Sequence, residues 1–130
     1  FCGDTLFSLG CGRLFEGSPE QMLASLDLLR SLPDHTRVCC GHEYTENNAR
    51  FAAAAEPNNP ARDVLMRRVM RLRAVDEPSL PSDIGTEKAC NPFLRVDDPC
   101  ILSGLDAYLG DAPKTRLARF TALRAWKDAF

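Results

Sequence analysis

Two short stretches of the chain could do metal chemistry. In Gly3-Asp4-Thr5-Leu6-Phe7 and in Cys40-Gly41-His42-Glu43-Tyr44-Thr45, an apolar run ends in a glycine and then a coordinating side chain. Asp and His supply oxygen and nitrogen donors that suit a divalent ion. A catalytic zinc usually takes three protein ligands and keeps one position open, so Asp4 and His42 amount to part of a site. Taken singly, an Asp-Thr pair is an ordinary cap and a lone His an ordinary solvated residue. The repetition of the context carries the reading. His35 lies in a Pro-Asp turn without that context and reads as surface.

Other chemistry-bearing residues are plainer. Cys11 sits between glycines with no paired His nearby in sequence, so it lacks the base a thiol nucleophile needs. Arg124 and Lys127 stand three apart on a helical pattern and therefore share a face, which by itself is an ordinary solvated basic face. Arg67, Arg68, Arg71 and Arg73 make another basic helix side, with few aromatics between them, and nucleic acid is not an expected partner. Met66, Met70 and Leu72 read as a core stripe.

The elements that must position these groups alternate between strand and helix up to Glu56-Pro57-Asn58-Asn59-Pro60 and are mostly helical after it. Phe1 to Thr5 reads as the end of a buried strand and Leu9 to Gly17 as a glycine-rich loop. Ser18-Pro19-Glu20-Gln21 is a capping-box start for a helix whose stripe is Met22, Leu23, Leu26, Leu29 and Leu32. A turn at Pro33 to Thr36 leads into a strand from Arg37 to Cys40. Thr45, with Asn48 three residues on, opens the next helix. Asn59-Pro60 opens another with Leu65, Val69 and Leu72 inward, broken between Glu77 and Pro81. Thr86 to Val96 reads as an extended connector. Asp98-Pro99 starts a helix through Leu109, and Thr115 to Phe130 is the last, with Leu117, Phe120, Leu123 and Trp126 inward.

With 130 residues, 45% hydrophobic content and a net charge of -2, the chain suits a soluble globular protein without a polyanionic partner. No apolar run reaches membrane-span length. The six cysteines, two of them adjacent and none in a Cys-x-x-Cys pair, read as free thiols of a reducing cytosol, so a cytoplasmic location is expected. A first residue that is Phe, inside a strand-like run, leads us to expect a fragment or a processed chain.

The words Gly3-Asp4-Thr5-Leu6-Phe7, Gly10-Cys11-Gly12-Arg13-Leu14-Phe15-Glu16-Gly17, Gly41-His42-Glu43-Tyr44-Thr45, Asn91-Pro92-Phe93-Leu94-Arg95 and Leu123-Arg124-Ala125-Trp126-Lys127-Asp128 occur in this order. In them the chain resembles the glyoxalase II family, the hydroxyacylglutathione hydrolases of the metallo-β-lactamase superfamily, over its C-terminal half. The implied fold is α/β (α+β). Residues 1–56 would be the C-terminal part of the metallo-β-lactamase αββα sandwich, and residues 57–130 a helical glutathione-binding domain. The implied reaction is hydrolysis of S-D-lactoylglutathione to D-lactate and glutathione by a hydroxide bridging two divalent metal ions, zinc foremost, with iron or manganese as alternatives.

By the same resemblance Asp4 would bridge the ions and His42 complete one coordination sphere. The other ligands, a His-x-His-x-Asp-His motif and a later His, would lie upstream. Arg13, Phe15, Tyr44, Arg124 and Lys127 match positions that touch glutathione, the last two holding its glycine carboxylate. Phe15 departs from the tyrosine of many members, and losing that hydroxyl removes one hydrogen bond, about 0.5–1.5 kcal/mol. The expected molecule is a monomer acting on a small glutathione thioester. The rival reading is a module that binds glutathione without the chemistry. A third is another hydrolase or sulfur-handling oxygenase of the superfamily.

Overall fold

Three of the six helices begin where a capping side chain precedes proline. In this computed structural model, which describes residues 1–130, Ser18 caps α1 (Pro19–Arg30). Its hydroxyl accepts from Gln21 N–H at 3.2 Å, and Gln21 Oε1 accepts Ser18 N–H at 2.9 Å. Asn59 accepts from Arg62 N–H at 3.0 Å to start α3 (Pro60–Arg73). Asp98 accepts from Cys100 N–H at 2.9 Å to start α5 (Pro99–Leu109). Each cap satisfies a donor that the first helical turn leaves free, while proline supplies a pre-set φ where no N–H is needed. Thr115 does the same for α6 (Arg116–Ala129) without proline.

The sheets are small. β1 (Leu6–Phe7) and β2 (Gly10–Cys11) form a tight antiparallel hairpin. β3 (Arg37–Val38) pairs antiparallel with β4 (Ser82–Asp83). One isolated parallel bridge joins Gly3 to Cys40. The molecule is therefore a mixture of helix and small sheets, helix predominating.

Several expectations need correction. Phe1 to Thr5 is not a buried strand: Phe1 is fully exposed, only Gly3 pairs, and Thr5 N–H turns back to Cys2 O at 3.1 Å. The glycine-rich loop contains the hairpin arm β2, and the third strand stops at Val38 rather than Cys40. Thr45 is the first residue of α2 (Thr45–Ala55) but makes no capping bond; its hydroxyl goes to Glu43 Oε1 at 2.7 Å. Thr86 to Val96 is not extended. It holds most of α4 (Ile84–Cys90) and a 3₁₀ turn at Pro92–Leu94. Asp83 caps α4 through Thr86 N–H at 2.7 Å, and Asn91-Pro92 ends that helix instead of lying within a connector. Met70 is 60% exposed and Leu117 also faces solvent, so neither belongs to the core.

The main core is a cluster to which β1, β2, β3, α1, α2, α4, the 3₁₀ turn, α5 and α6 all contribute, and a smaller one gathers Leu9, Ala49 and Cys90. The main cluster draws on residues from both sides of the expected 56/57 division. Phe51, Phe93 and Phe120 are its largest members and fully buried. At about 1.5–3 kcal/mol for each such side chain, they outweigh any single surface ion pair. Phe51 and Phe93 stack at 5.9 Å, and Phe120 meets Phe93 edge-on at 6.0 Å. This packing seats α6 against α1 and brings its inner face up to the β1–β2 hairpin. No helix is long and apolar enough to cross a membrane.

Candidate active site

Asp4 and His42 reach the same place because their segments run side by side. Cys2 N–H donates to Cys39 O at 3.2 Å and Gly41 N–H to Gly3 O at 2.9 Å, on either side of the Gly3–Cys40 bridge. Both functional residues follow that parallel contact at once. His42 Nε2 then lies 3.5 Å from Asp4 Oδ1, with the two side chains 51% and 68% exposed. Two glycines make the room. A Cβ at Gly41 would stand 2.5 Å from Asp4 Oδ1, and one at Gly12 would stand 2.0 Å from Asp4 O.

Aromatic packing aims the imidazole. The His42 ring stacks on Tyr44 at 4.9 Å and 16°, and Phe7 from β1 meets Tyr44 edge-on at 5.1 Å. Glu43, between these two residues in the chain, is tied down by Ser79, whose N–H and hydroxyl reach its carboxylate at 2.8 and 2.5 Å. Burial raises the Glu43 carboxyl, but the bonds from Ser79 and Thr45 outweigh it and hold the group below the usual range.

One carboxylate and one imidazole this close are a fitting donor pair for a divalent ion. They are not a full set. The one group of three potential ligands within 4.8 Å of one another is Glu56, Asp98 and Cys100, away from this cavity. In that group Arg95 already pairs with Glu56 at 2.6 Å and with Asp98 at 2.9 Å.

A cavity of about 410 Å³ extends from Asp4 and His42 and is lined also by Arg13, Phe15, Tyr44, Arg124 and Lys127. The structure thus brings together every residue singled out in the sequence as a site candidate. Phe15 is 85% exposed at the mouth. Arg124 is not the solvated helix residue its spacing allowed; it is 3% exposed. Its Nη1 donates to Cys11 O at 2.8 Å, its Nη2 to Asp128 Oδ1 at 2.9 Å, and its guanidinium lies 5.1 Å from the Phe93 ring centre. Its Nε has no partner. Asp128 also faces Arg13 at 3.7 Å. Lys127 Nζ lies 5.6 Å from the Phe51 ring centre, and burial together with Arg124 lowers its pKa. Burial pushes the Cys11 thiol up to about 11 in spite of Arg124.

The cavity also uses Phe7, Gly12, Asn47 and Asn48, to which sequence reasoning gave no site role. In the sequence Asn48 stands out only through its distance from Thr45. In fact its Nδ2 donates to Ser8 O at 2.9 Å and holds the hairpin. A carbonyl brought from a distant turn leaves no trace in local spacing.

A family model described as "Hydroxyacylglutathione hydrolase C-terminus" matches residues 43–130. The chain belongs to that family. Over all 130 residues it is 54% identical to the hydroxyacylglutathione hydrolase of Cupriavidus taiwanensis and covers 48% of that protein. It is 56% identical to the one of Chromohalobacter salexigens, covering 50% of it, and 53% identical to that of Shewanella pealeana, covering 49%. The chain therefore spans about half the length of the curated relatives it matches. Tyr44, Arg124 and Lys127 fall inside the hydroxyacylglutathione hydrolase match, whereas Asp4, Arg13, Phe15 and His42 precede it and are covered by the whole-chain likenesses.

Proposed function

We propose that this chain is the C-terminal half of a glyoxalase II, a thioesterase that hydrolyses S-D-lactoylglutathione to glutathione and D-lactate. The observation that carries this reading is the polarity of the cavity. Its wall carries a carboxylate–imidazole pair and three cations, Arg13, Arg124 and Lys127. A glutathione thioester has the matching parts, a reactive carbonyl and a peptide ending in carboxylates. Family membership and the names of the relatives support the same substrate. We read residues 1–56 as the end of a metallo-β-lactamase sandwich and residues 57–130 as the helical glutathione-binding part.

Asp4 and His42 would hold divalent ions together with ligands from the upstream half. When bound, such ions supply Lewis acidity and a strong nucleophile near neutral pH. The rest belongs to this chain. Arg124 and Lys127 bind the glycine carboxylate, Arg124 being pre-set by Cys11 O and Asp128, so little ordering is needed on binding. Arg13 adds a cation from the rim. Tyr44 offers its hydroxyl to the substrate's peptide while its ring keeps His42 in place. Phe15 covers the mouth without a hydrogen bond. Cys11 takes no covalent part, because its proton is held too tightly. Six free cysteines support a cytoplasmic setting, and the cavity suits a small molecule bound by a monomer.

Metal content and thioester hydrolysis, measured on this chain and on the polypeptide extended upstream, test the reading. We expect both to rise sharply in the longer form. An extended form with neither overturns the enzyme. An extended form that binds glutathione but leaves the thioester intact would favour a binding module.

A further inference from the structure

The β1–β2 hairpin turns at Ser8-Leu9, and several backbone groups at that turn are held by the side chains of Asn48, Glu87 and Asn91. Leu9 has a φ of +60°, which an L side chain rarely adopts. Its N–H donates to Glu87 Oε2 at 2.9 Å. Asn91 Nδ2 donates to Phe7 O at 3.1 Å, to Gly10 O at 3.0 Å and to Glu87 Oε2 at 2.9 Å. Asn48 Nδ2 takes Ser8 O. The second Glu87 oxygen receives Ser82 Oγ at 2.5 Å. Glu87 is fully buried, and burial raises its carboxyl pKa against these donors.

A buried carboxylate is costly unless it is hydrogen-bonded, and here its bonds hold a turn from which two parts of the site hang. The first arm carries Phe7, which packs on Tyr44 and, at 6.2 Å, on His42. The second carries Cys11, whose carbonyl seats Arg124. We infer that Glu87 is a positioning residue of the thioesterase: through Leu9 and Asn91 it fixes the hairpin, and through Cys11 O it sets the Arg124 guanidinium for the substrate's carboxylate. The inference rests on the function proposed above.

The test uses the full-length, metal-loaded protein. Glu87→Met keeps the volume and removes the acceptors. Glu87→Gln keeps an oxygen for Leu9 and Asn91 and can turn its amide to the Ser82 hydroxyl. Glu87→Met should raise KM for the thioester and Ki for glutathione about tenfold, with kcat within about threefold and metal content unchanged. Glu87→Gln should return both constants to within about twofold of the parent protein. Should the Met variant not fold, Glu87→Asp, shorter by one methylene, is read in the same way. A folded Met or Asp variant with unchanged KM and Ki overturns the inference, and so does a Gln variant as impaired as Met. If the parent protein hydrolyses no thioester, the function fails separately. The Arg124 Nε–H resonance then decides: its shift in step with faster exchange of the Leu9 amide supports the coupling, and its constancy overturns it.

Discussion

His42 Nε2 stands 3.5 Å from Asp4 Oδ1, on segments that meet through a single parallel bridge. The backbone contact and the stacking of His42 on Tyr44 set this spacing, and the metal role proposed for the pair has several measurable consequences.

Asp4→Ala and His42→Ala should each weaken metal binding in the full-length protein. Loss of a group that merely orients a ligand costs about 10–100-fold, so loss of a ligand should cost at least as much. Elemental analysis after dialysis against a graded chelator reads the effect, with circular dichroism to show that the fold persists. Parent-like retention of metal in either variant would remove that residue from the site.

Lys127→Ala should raise KM about tenfold, near 1.4 kcal/mol, and change kcat less, because the proposed contact is to a part of the substrate remote from the bond that breaks. Arg124→Ala should do the same and also lower the melting temperature, since it leaves Cys11 O unpaired at a cost of about 1–3 kcal/mol. Steady-state kinetics alongside thermal melts separate the two. An unchanged KM in both variants contradicts the assignment.

Burial, and after it Arg124, depresses Lys127 below its ordinary value of 10.5. The unfolded chain therefore binds this proton more tightly than the native state, and stability rises as pH climbs from the native value toward 10.5. Replacing the lysine with methionine should raise the urea midpoint at pH about 7, and the gain should shrink as pH nears 10.5. A lower midpoint for Lys127→Met at neutral pH would refute the burial argument.

Cys11, raised to about 11, should resist iodoacetamide at neutral pH. Cys11→Ala should keep kcat within about twofold and lose about 1 kcal/mol of stability for the missing sulfur in the core. Peptide mapping of the alkylated protein and turnover of the variant check both points. Collapse of kcat with the fold intact would instead indicate a covalent thiol pathway.

The helix starts were legible because capping is a local matter. Ser18-Pro19, Asn59-Pro60 and Asp98-Pro99 each state a first turn within a few residues. Short elements were not. The β1–β2 hairpin turns on a leucine at positive φ, where sequence reasoning looks for glycine or asparagine, and it is held by residues about forty and eighty positions away. The α4 helix has only seven residues, and the Asn-Pro after it masks its Ile84, Glu87, Cys90 spacing. The seven candidates that line the cavity stand out in the sequence as words of a family, Asp4 and His42 also through their repeated context. The depth of Arg124 was not legible, since burial of a cation depends on which carbonyl and which carboxylate arrive beside it.

Gly12 and Gly41 serve Asp4 by what they lack. A saturation library would return glycine at position 12, where a methyl group would strike the aspartate's backbone, and would favour it at 41, where any side chain displaces the carboxylate. Two residues with no functional group of their own would then rank with Asp4 in any map of intolerance to change.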